Sequence, residues 1–261
     1  MTWQTLDVRM DPRGIAHVAL DLAEKRNALS AQMIADLTDM AGTLGQGGQA
    51  RAIILSGRGK MFCAGGDLGW MQAQIAADRP TRMREARKLA MMLNALNEMP
   101  VPLIGQIHGA AFGGGVGMAC VCDTVIAAEP AQFGLTETRL GLIPATIGPY
   151  VLARMGEGRA RQVFMSGRIF SAAEAERLGI VSRVVPEAAL EAEAEAEAAA
   201  YLSAAPGAVG RAKALARALG PRIDAEVIED TIRRLADAWE TPELAKGIAA
   251  FMEKRKPDWS G

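Results

Sequence analysis

Two glycine-rich turns carry the residues best suited to chemistry: Phe62-Cys63-Ala64-Gly65-Gly66-Asp67-Leu68 and His108-Gly109-Ala110-Ala111-Phe112-Gly113-Gly114-Gly115. Glycine lets a backbone approach a ligand with no Cβ in the way. Asp67 is placed to cap a helix after the first turn. The second turn runs into Val116-Gly117-Met118-Ala119, a helix start whose first N–H groups lack intrahelical partners and lie at the positive end of the dipole. Two such N–H groups aimed at one carbonyl oxygen make an oxyanion hole, which stabilises an enolate or a tetrahedral anion. The expected chemistry is therefore a reaction next to a carbonyl. One such turn could be a plain connection; two, each after a buried strand, weigh against that.

Other chemistries fit less well. Gly113-Gly114-Gly115-Val116-Gly117-Met118 lacks the last glycine of a dinucleotide fingerprint and the acid about 20 residues on. Gly57-Arg58-Gly59-Lys60 lacks the spacing of a P-loop, and no GxSxG occurs. His17 and His108 give no metal-ligand spacing, so no metal is expected. His17 lies in a strand pattern and reads as structural; His108, just before the second turn, is a minor candidate for lining the site. The three cysteines, Cys63, Cys120 and Cys122, are odd in number and lack CxxC spacing, which argues against disulfides or zinc and for a reducing, cytoplasmic compartment. A net charge of −1 gives no basic field for nucleic acid. No apolar stretch reaches the roughly 18 residues of a membrane span, and the opening Met1-Thr2-Trp3-Gln4 does not resemble a secretory leader.

The elements that must position these turns follow from periodicity. Strands are predicted at 5–10 and 15–20, joined by the turn Asp11-Pro12-Arg13-Gly14. Ser30 is a helix cap for 31–44. Ala52-Ile53-Ile54-Leu55 reads as a strand buried on both faces; 103–107 and 124–128 are further strands, and 82–99 is a helix. Strands alternating with helices indicate an α/β core. From about Thr146 only helices are expected: 149–155, 159–166, 172–178, 187–203, 208–219, 225–239 and 242–254. The chain divides accordingly into an α/β core, 1–167, and a helical region, 168–261, expected to build oligomers. The stretch Glu191-Ala192-Glu193-Ala194-Glu195-Ala196-Glu197, rich in strong helix formers, reads as an exposed helix.

These motifs, in this order, resemble the crotonase, or enoyl-CoA hydratase/isomerase, superfamily from about Trp3 to Trp259. The resemblance rests on Lys25-Arg26-Asn27-Ala28-Leu29, the two turns, Cys122-Asp123, Phe133-Gly134-Leu135-Thr136-Glu137, Leu140-Gly141-Leu142-Ile143-Pro144 and Phe251-Met252-Glu253-Lys254-Arg255-Lys256. It implies a superhelix of ββα turns, a C-terminal helical region that builds homotrimers or homohexamers, and an acyl-CoA thioester as ligand. CoA is then part of the substrate, and no separate cofactor is implied. The oxyanion N–H groups fall on Gly66 and Gly114. Lys25, Arg26, Ala28, Ala64, Asp67 and Leu68 match the CoA groove. Phe251 and Lys254 match a C-terminal helix that reaches adenine and phosphate, a ring to stack and a point charge; an ordinary amphipathic helix is the alternative.

In two-glutamate relatives one carboxylate lies three residues after the middle glycine of the second turn. Here that position is Gly117, which leaves Glu137 as the matched acid/base. Gly114 and Gly117 are expected to share a helix face toward one cavity, with Gly117 making room for a branched or carboxylated acyl chain. One glutamate can still serve a hydratase, by taking the proton of water and returning it to C2. It also suits a double-bond isomerase. Finer likeness, in Asp67-Leu68-Gly69-Trp70-Met71, in Gly109-Ala110-Ala111-Phe112-Gly113-Gly114 and in the run from Thr136 to Ile147, is to bacterial 3-methylglutaconyl-CoA or carboxygeranoyl-CoA hydratases. The expectation is an enoyl-CoA hydratase; an enoyl-CoA isomerase or a catalytically silent acyl-CoA-binding protein are the alternatives. A carboxylated chain would need a cationic partner, with Arg139 and Arg154 as candidates.

Overall fold

The structure, a computed structural model, describes residues 3–259 apart from 47. The chain opens with an antiparallel pair, β1 (Leu6–Met10) and β2 (Ile15–Leu20), then α1 (Ala31–Gln46) and β3 (Ala52–Gly57). Ser30 Oγ accepts from the N–H of Met33 at 3.2 Å, the cap expected for α1. After β3 come α2 (Leu68–Ala76) and α3 (Arg79–Glu98). Asp67 caps α2 and Asp78 caps α3, each carboxylate accepting an N–H three residues on at 2.9 Å. The second cap, with Pro80 in the first turn, starts α3 three residues before the helix predicted from periodicity.

Three strand–strand–helix turns then stack. β4 (Leu103–Ile107), β5 (Ala110–Phe112) and α4 (Gly114–Val121) form one; β6 (Thr124–Ala128), β7 (Gln132–Gly134) and a 3-10 turn (Thr136–Leu140) form the next. The stretch from β3 through Cys63 to α2 is the turn before them, with Cys63 bridged in parallel to Ala111. The first strand of each turn joins a six-stranded sheet in the order β1-β2-β3-β4-β6, closed by the later β9 (Arg183–Val185); β5, β7 and the later β8 (Ile169–Ser171) form a small sheet. α5 (Gly148–Met155) and α6 (Glu157–Phe164) follow, then β8 (Ile169–Ser171), α7 (Ala172–Leu178) and β9 (Arg183–Val185).

β8 and β9 correct the expectation of helices only beyond Thr146. Each is three residues long, too short for a period of two to register. β9 extends the large sheet beside β6 and β8 closes the small one against β7, so the composition change near residue 168 does not separate sheet from helix.

The central strands of the large sheet, β2, β3, β4 and β6, are buried on both faces, as is usual for a mostly parallel sheet. Ile53, Leu55, Leu103, Ile107, Val125 and Ala127 face the cluster built with α1, α3 and α4. Their alternates Ile54, Ile104, Ile126 and Ala128 face Leu190, Ala194 and Ala198 of α8 (Leu190–Ala200). The Glu–Ala run is thus not simply an exposed helix: its small residues, four apart, lie flat on the sheet, while Glu195 and Glu197 pair with Arg13 and Arg183 outside.

Three more helices complete the chain: α9 (Pro206–Leu219), α10 (Ala225–Trp239) and α11 (Pro242–Met252). α10 packs on α3 and α11 on the 3-10 turn. Ile228, Ile232, Leu235 and Trp239 line one face of α10 in a second core cluster. No helix among the described residues is long and apolar enough to cross a membrane.

Candidate active site

Stacked turns explain why the motifs meet. Cys63, Ala111 and Phe133 lie side by side across the small sheet. Two to four residues further along each strand come Gly65-Gly66, Gly113-Gly114 and Glu137. Three segments far apart in sequence are delivered to one corner because each follows an equivalent strand.

The backbone there is special at two positions. Gly65 has φ +93° and Gly113 φ +50°, conformations open to glycine and costly for residues with a Cβ. The two turns abut: a Cβ built on Gly65 would lie 3.1 Å from the carbonyl oxygen of Phe112. A neighbouring segment braces the first turn. Leu29 donates to Gly65 O at 2.7 Å and accepts from the N–H of Asp67 at 3.2 Å, while Ala64 donates to Arg26 O at 3.0 Å. Fully buried Asn27 ties this segment to the loop ahead of the turn, its amide nitrogen donating to Arg58 O and Met61 O. Among the described residues the N–H groups of Gly66 and Gly114 donate to no protein acceptor.

Between the turns and the C-terminal helices lies a cavity of about 360 Å³. Ala64, Gly66, Leu68, Gly114 and Glu137 line it, together with apolar Ile147, Leu142 and Trp70. The helical region covers it from above through Leu235, Trp239 and Phe251 of the same chain. Glu137 is half-buried as a residue, but its Oε2 is shut away from solvent and has no hydrogen-bond partner. Its Oε1 lies 3.1 Å from where a Cβ on Gly113 would stand. Desolvation pushes this carboxyl up from its ordinary 4.5 to about 7. An unpartnered carboxyl with a near-neutral pKa beside two free N–H groups can exchange a proton with a ligand while its oxyanion is held.

The other sequence candidates divide. Phe251 stands in the cavity wall. Asp67 instead serves as the α2 cap. Ala28 is buried behind the first turn, and Lys25 and Arg26 project to solvent beside it. Lys254, past the end of α11, is exposed. Of the two arginines, exposed Arg139 lines the cavity. Arg154 does not: it donates to Cys122 O and Asp123 O and faces a different cavity, under α9. His108 holds Gly59 O at 2.9 Å and does not line the site. Asp11, His17 and Glu195 come together on the far sheet, but the Arg13 guanidinium bridges Asp11 and Glu195 there, filling the cation position with a side chain.

Gly117 requires a correction. It does not open onto the cavity; a Cβ there would stand 2.5 Å from Ile147 Cγ2 and 3.7 Å from Leu93 Cδ2. Ile147, 2% exposed, fills the volume that a side chain at 117 would take. Sequence reasoning also missed Leu235 and Trp239 as cavity walls; their spacing of four on a strongly amphipathic helix was the available signal.

A family model described as Enoyl-CoA hydratase/isomerase matches residues 11–261. A Rhodobacter capsulatus protein named "Probable enoyl-CoA hydratase" is 34% identical over 263 residues, covering 100% of each chain. The Alternaria alternata protein "Enoyl-CoA hydratase AKT6-1" is 31% identical over 246 residues, 93% of this chain and 80% of that one. The crystal structure of an enoyl-CoA hydratase from Shewanella pealeana superposes with a TM-score of 0.81 at 34% identity, covering 99% of this chain and 97% of that one.

Proposed function

This chain belongs to the enoyl-CoA hydratase/isomerase family and is an enzyme of it; from that premise we propose that it adds water across the C2=C3 bond of a branched or carboxylated enoyl-CoA such as 3-methylglutaconyl-CoA. The carrying observation is the unpartnered Glu137 carboxyl beside the free N–H groups of Gly66 and Gly114. Glu137 as carboxylate takes a proton from water as the oxygen bonds to C3. The C2=C3 electrons move to C2 and the thioester oxygen, giving an enolate that Gly66 and Gly114 hold. The protonated Glu137 then gives its proton to C2 as the enolate collapses. With a pKa of about 7 the carboxyl works in both directions near neutrality. The adenine and phosphates of CoA lie toward Phe251, Lys254, Lys25 and Arg26. CoA arrives as part of the substrate, so the step calls on no further cofactor. Arg139, in the cavity wall without an ion-pair partner among the described residues, supplies the positive field for a carboxylated acyl chain. A place in leucine or terpenoid breakdown would suit such a substrate.

The assembly is proposed to be a homotrimer or homohexamer. Support comes from Met165, 68% exposed, and Ile169, 44% exposed, near an apolar groove that Pro149, Leu152, Phe164 and Val227 line. Three free, buried cysteines, with thiols pushed up to about 12 by burial, suit a cytoplasmic setting.

One observation favours a second reading. The position of a second carboxylate is filled by apolar Gly117 and Ile147, and one carboxylate suffices for an isomerase that shuttles a proton between C4 and C2. Assay of crotonyl-CoA, 3-methylglutaconyl-CoA and a 3-enoyl-CoA separates the two. Faster hydration of 3-methylglutaconyl-CoA than of crotonyl-CoA is expected. Turnover of the 3-enoyl thioester alone would establish the isomerase.

A further inference from the structure

The hydrogen bonds that join the two glycine turns stop short of the donors. Cys63 donates to Ala110 O at 3.0 Å and Phe112 donates to Cys63 O at 3.0 Å. Past them, no hydrogen bond joins residues 64–67 to residues 113–117 among the described residues. Gly65 rests against Phe112 O and Gly113 Cα, contacts that come before Gly66 in one turn and before Gly114 in the other. The separation of the two N–H groups is therefore left to packing. An oxyanion hole needs that separation fixed, since a donor helps only within hydrogen-bond reach of the oxygen it serves.

Leu29 stands at this gap with a hold on both turns. Its N–H bonds to Gly65 O at 2.7 Å and its carbonyl to the Asp67 N–H at 3.2 Å, the residues on either side of Gly66. Its side chain meets the other turn: a Cβ built on Gly114 would stand 2.5 Å from Leu29 Cδ1. Apart from the chain neighbours and own helix of Gly114, no other described residue has an atom within 4 Å of that point. Leu29 is 2% exposed and shares the cavity wall with Gly66 and Gly114.

Leu29 is itself held from both sides along the chain. Ser30, next in sequence, caps α1. Two residues back, Asn27 is fully buried and, like Arg26, left-handed, at φ +52° and +56°, a conformation uncommon for residues with a Cβ. The Asn27 side chain accepts from Leu22 N at 2.9 Å and donates to Arg58 O at 2.8 Å and to Met61 O at 2.9 Å. Those bonds over-determine the backbone that carries Leu29.

We propose that Leu29 is a positioning residue that sets the spacing of the oxyanion donors, its main chain gripping the Gly66 turn while its side chain bears on Gly114. This rests on the reading of those two N–H groups as an oxyanion hole and names what fixes its width.

The test uses Leu29→Ala, Leu29→Val and Leu29→Met. Alanine and valine keep the main-chain bonds but lack the Cδ atom that reaches Gly114; methionine keeps the reach. Valine, the milder change, guards against a fold lost in the alanine variant. Hydration of 3-methylglutaconyl-CoA and crotonyl-CoA is followed, together with the infrared spectrum of bound butyryl-CoA isotopically labelled at the thioester carbonyl. In wild type the carbonyl stretch should fall on binding, as the two N–H groups draw charge to the oxygen. In the alanine and valine variants kcat should drop roughly 10–100-fold, with KM and the butyryl-CoA Kd within about threefold of wild type. Their carbonyl stretch should return toward the free value, and Leu29→Met should recover both kcat and stretch. A loss of kcat with the stretch unchanged, or a rise in KM alone, would make Leu29 a mere wall of the cavity and overturn the inference. Wild-type kcat and stretch in Leu29→Val would do the same. A wild-type complex whose stretch stays at the free value would instead show that the two N–H groups hold no oxyanion, and the inference would fall with that reading. If wild type hydrates neither thioester, the stretch decides alone: relaxation in Leu29→Val but not in Leu29→Met supports the spacing role, and equal stretches across the variants overturn it.

Discussion

In the proposed reaction Glu137 bears the heaviest demand of any single residue, because its carboxyl must be both base and acid within one turnover. Glu137→Gln keeps the shape and removes the proton site. Turnover should fall by a factor on the order of 10²–10⁴ while affinity for a saturated acyl-CoA stays within about threefold; near-normal turnover would mean that another group is the base. Since burial raises the carboxyl to about 7, kcat/KM should climb with pH through that value, as the ionised base forms. The same burial has a stability consequence of opposite direction. A carboxyl whose folded pKa lies above its unfolded one stabilises the fold only while protonated. That contribution is present below about 4.5 and is lost as pH rises through about 7. The rise from 4.5 to about 7 corresponds to on the order of 3 kcal/mol. Glu137→Gln should therefore melt above wild type at pH 8 and converge with it near pH 4. Gly117 is the opposite case, a residue defined by its neighbour. Gly117→Glu would drive its Cβ into Ile147, and overpacking of this kind costs about 1–3 kcal/mol. Thermal melts should show a lowered Tm, partly restored by adding Ile147→Ala. An unaltered Tm in the single variant would mean that Ile147 yields freely.

The 3-10 turn that carries Glu137 is a short element with no buried residue of its own, so its position depends on what lies against it. α11 does. A Cβ on Gly247 would fall well inside contact distance of Leu140 O, and one on Gly141 would stand 2.8 Å from the Leu244 nitrogen. The absence of side chains at these two positions is what lets helix and turn meet backbone to backbone. Gly247→Ala should push the turn outward and shift the carboxyl. Misplacement of a reacting group by about 1 Å can slow a reaction up to roughly 100-fold. Turnover by Gly247→Ala should accordingly drop roughly 10–100-fold, with far-UV circular dichroism unchanged. Undiminished turnover would show that α11 covers the site without positioning it.

At the scale of the molecule, the helices of the C-terminal region differ in what they cover. α10 and α11 roof the cavity of their own chain, through Leu235, Trp239 and Phe251. α9, by contrast, buries none of its residues and leaves Leu219 81% exposed. Its exposed leucines, Leu215 and Leu219, are the apolar surface that the proposed assembly would cover. Light scattering should give three or six times 27.6 kDa; a monomer at full activity would exclude the proposed assembly.

Local chemistry was legible from the residues alone. Asp67 and Ser30 as caps and the paired glycine turns depend on short-range geometry that residue type dictates, whereas Glu137 was singled out by its match to a family motif and not by local geometry. The boundaries of α7 and α10 were read correctly because amphipathic periods and a cap mark them. Three-residue strands such as β8 and β9 were missed, since pairing with a distant strand, not local pattern, makes them. The Glu–Ala helix was misjudged for the same reason: whether alanines face water or a sheet depends on what packs there. Arg154 and Arg139 are alike in sequence, yet only Arg139 reaches the cavity. Gly117 reads as an opening in sequence, but Ile147, thirty residues on, occupies that space. A sequence states which groups can donate, accept or turn. Which of them share a cavity is decided by packing, where each volume is filled once, by whichever side chain the fold brings there.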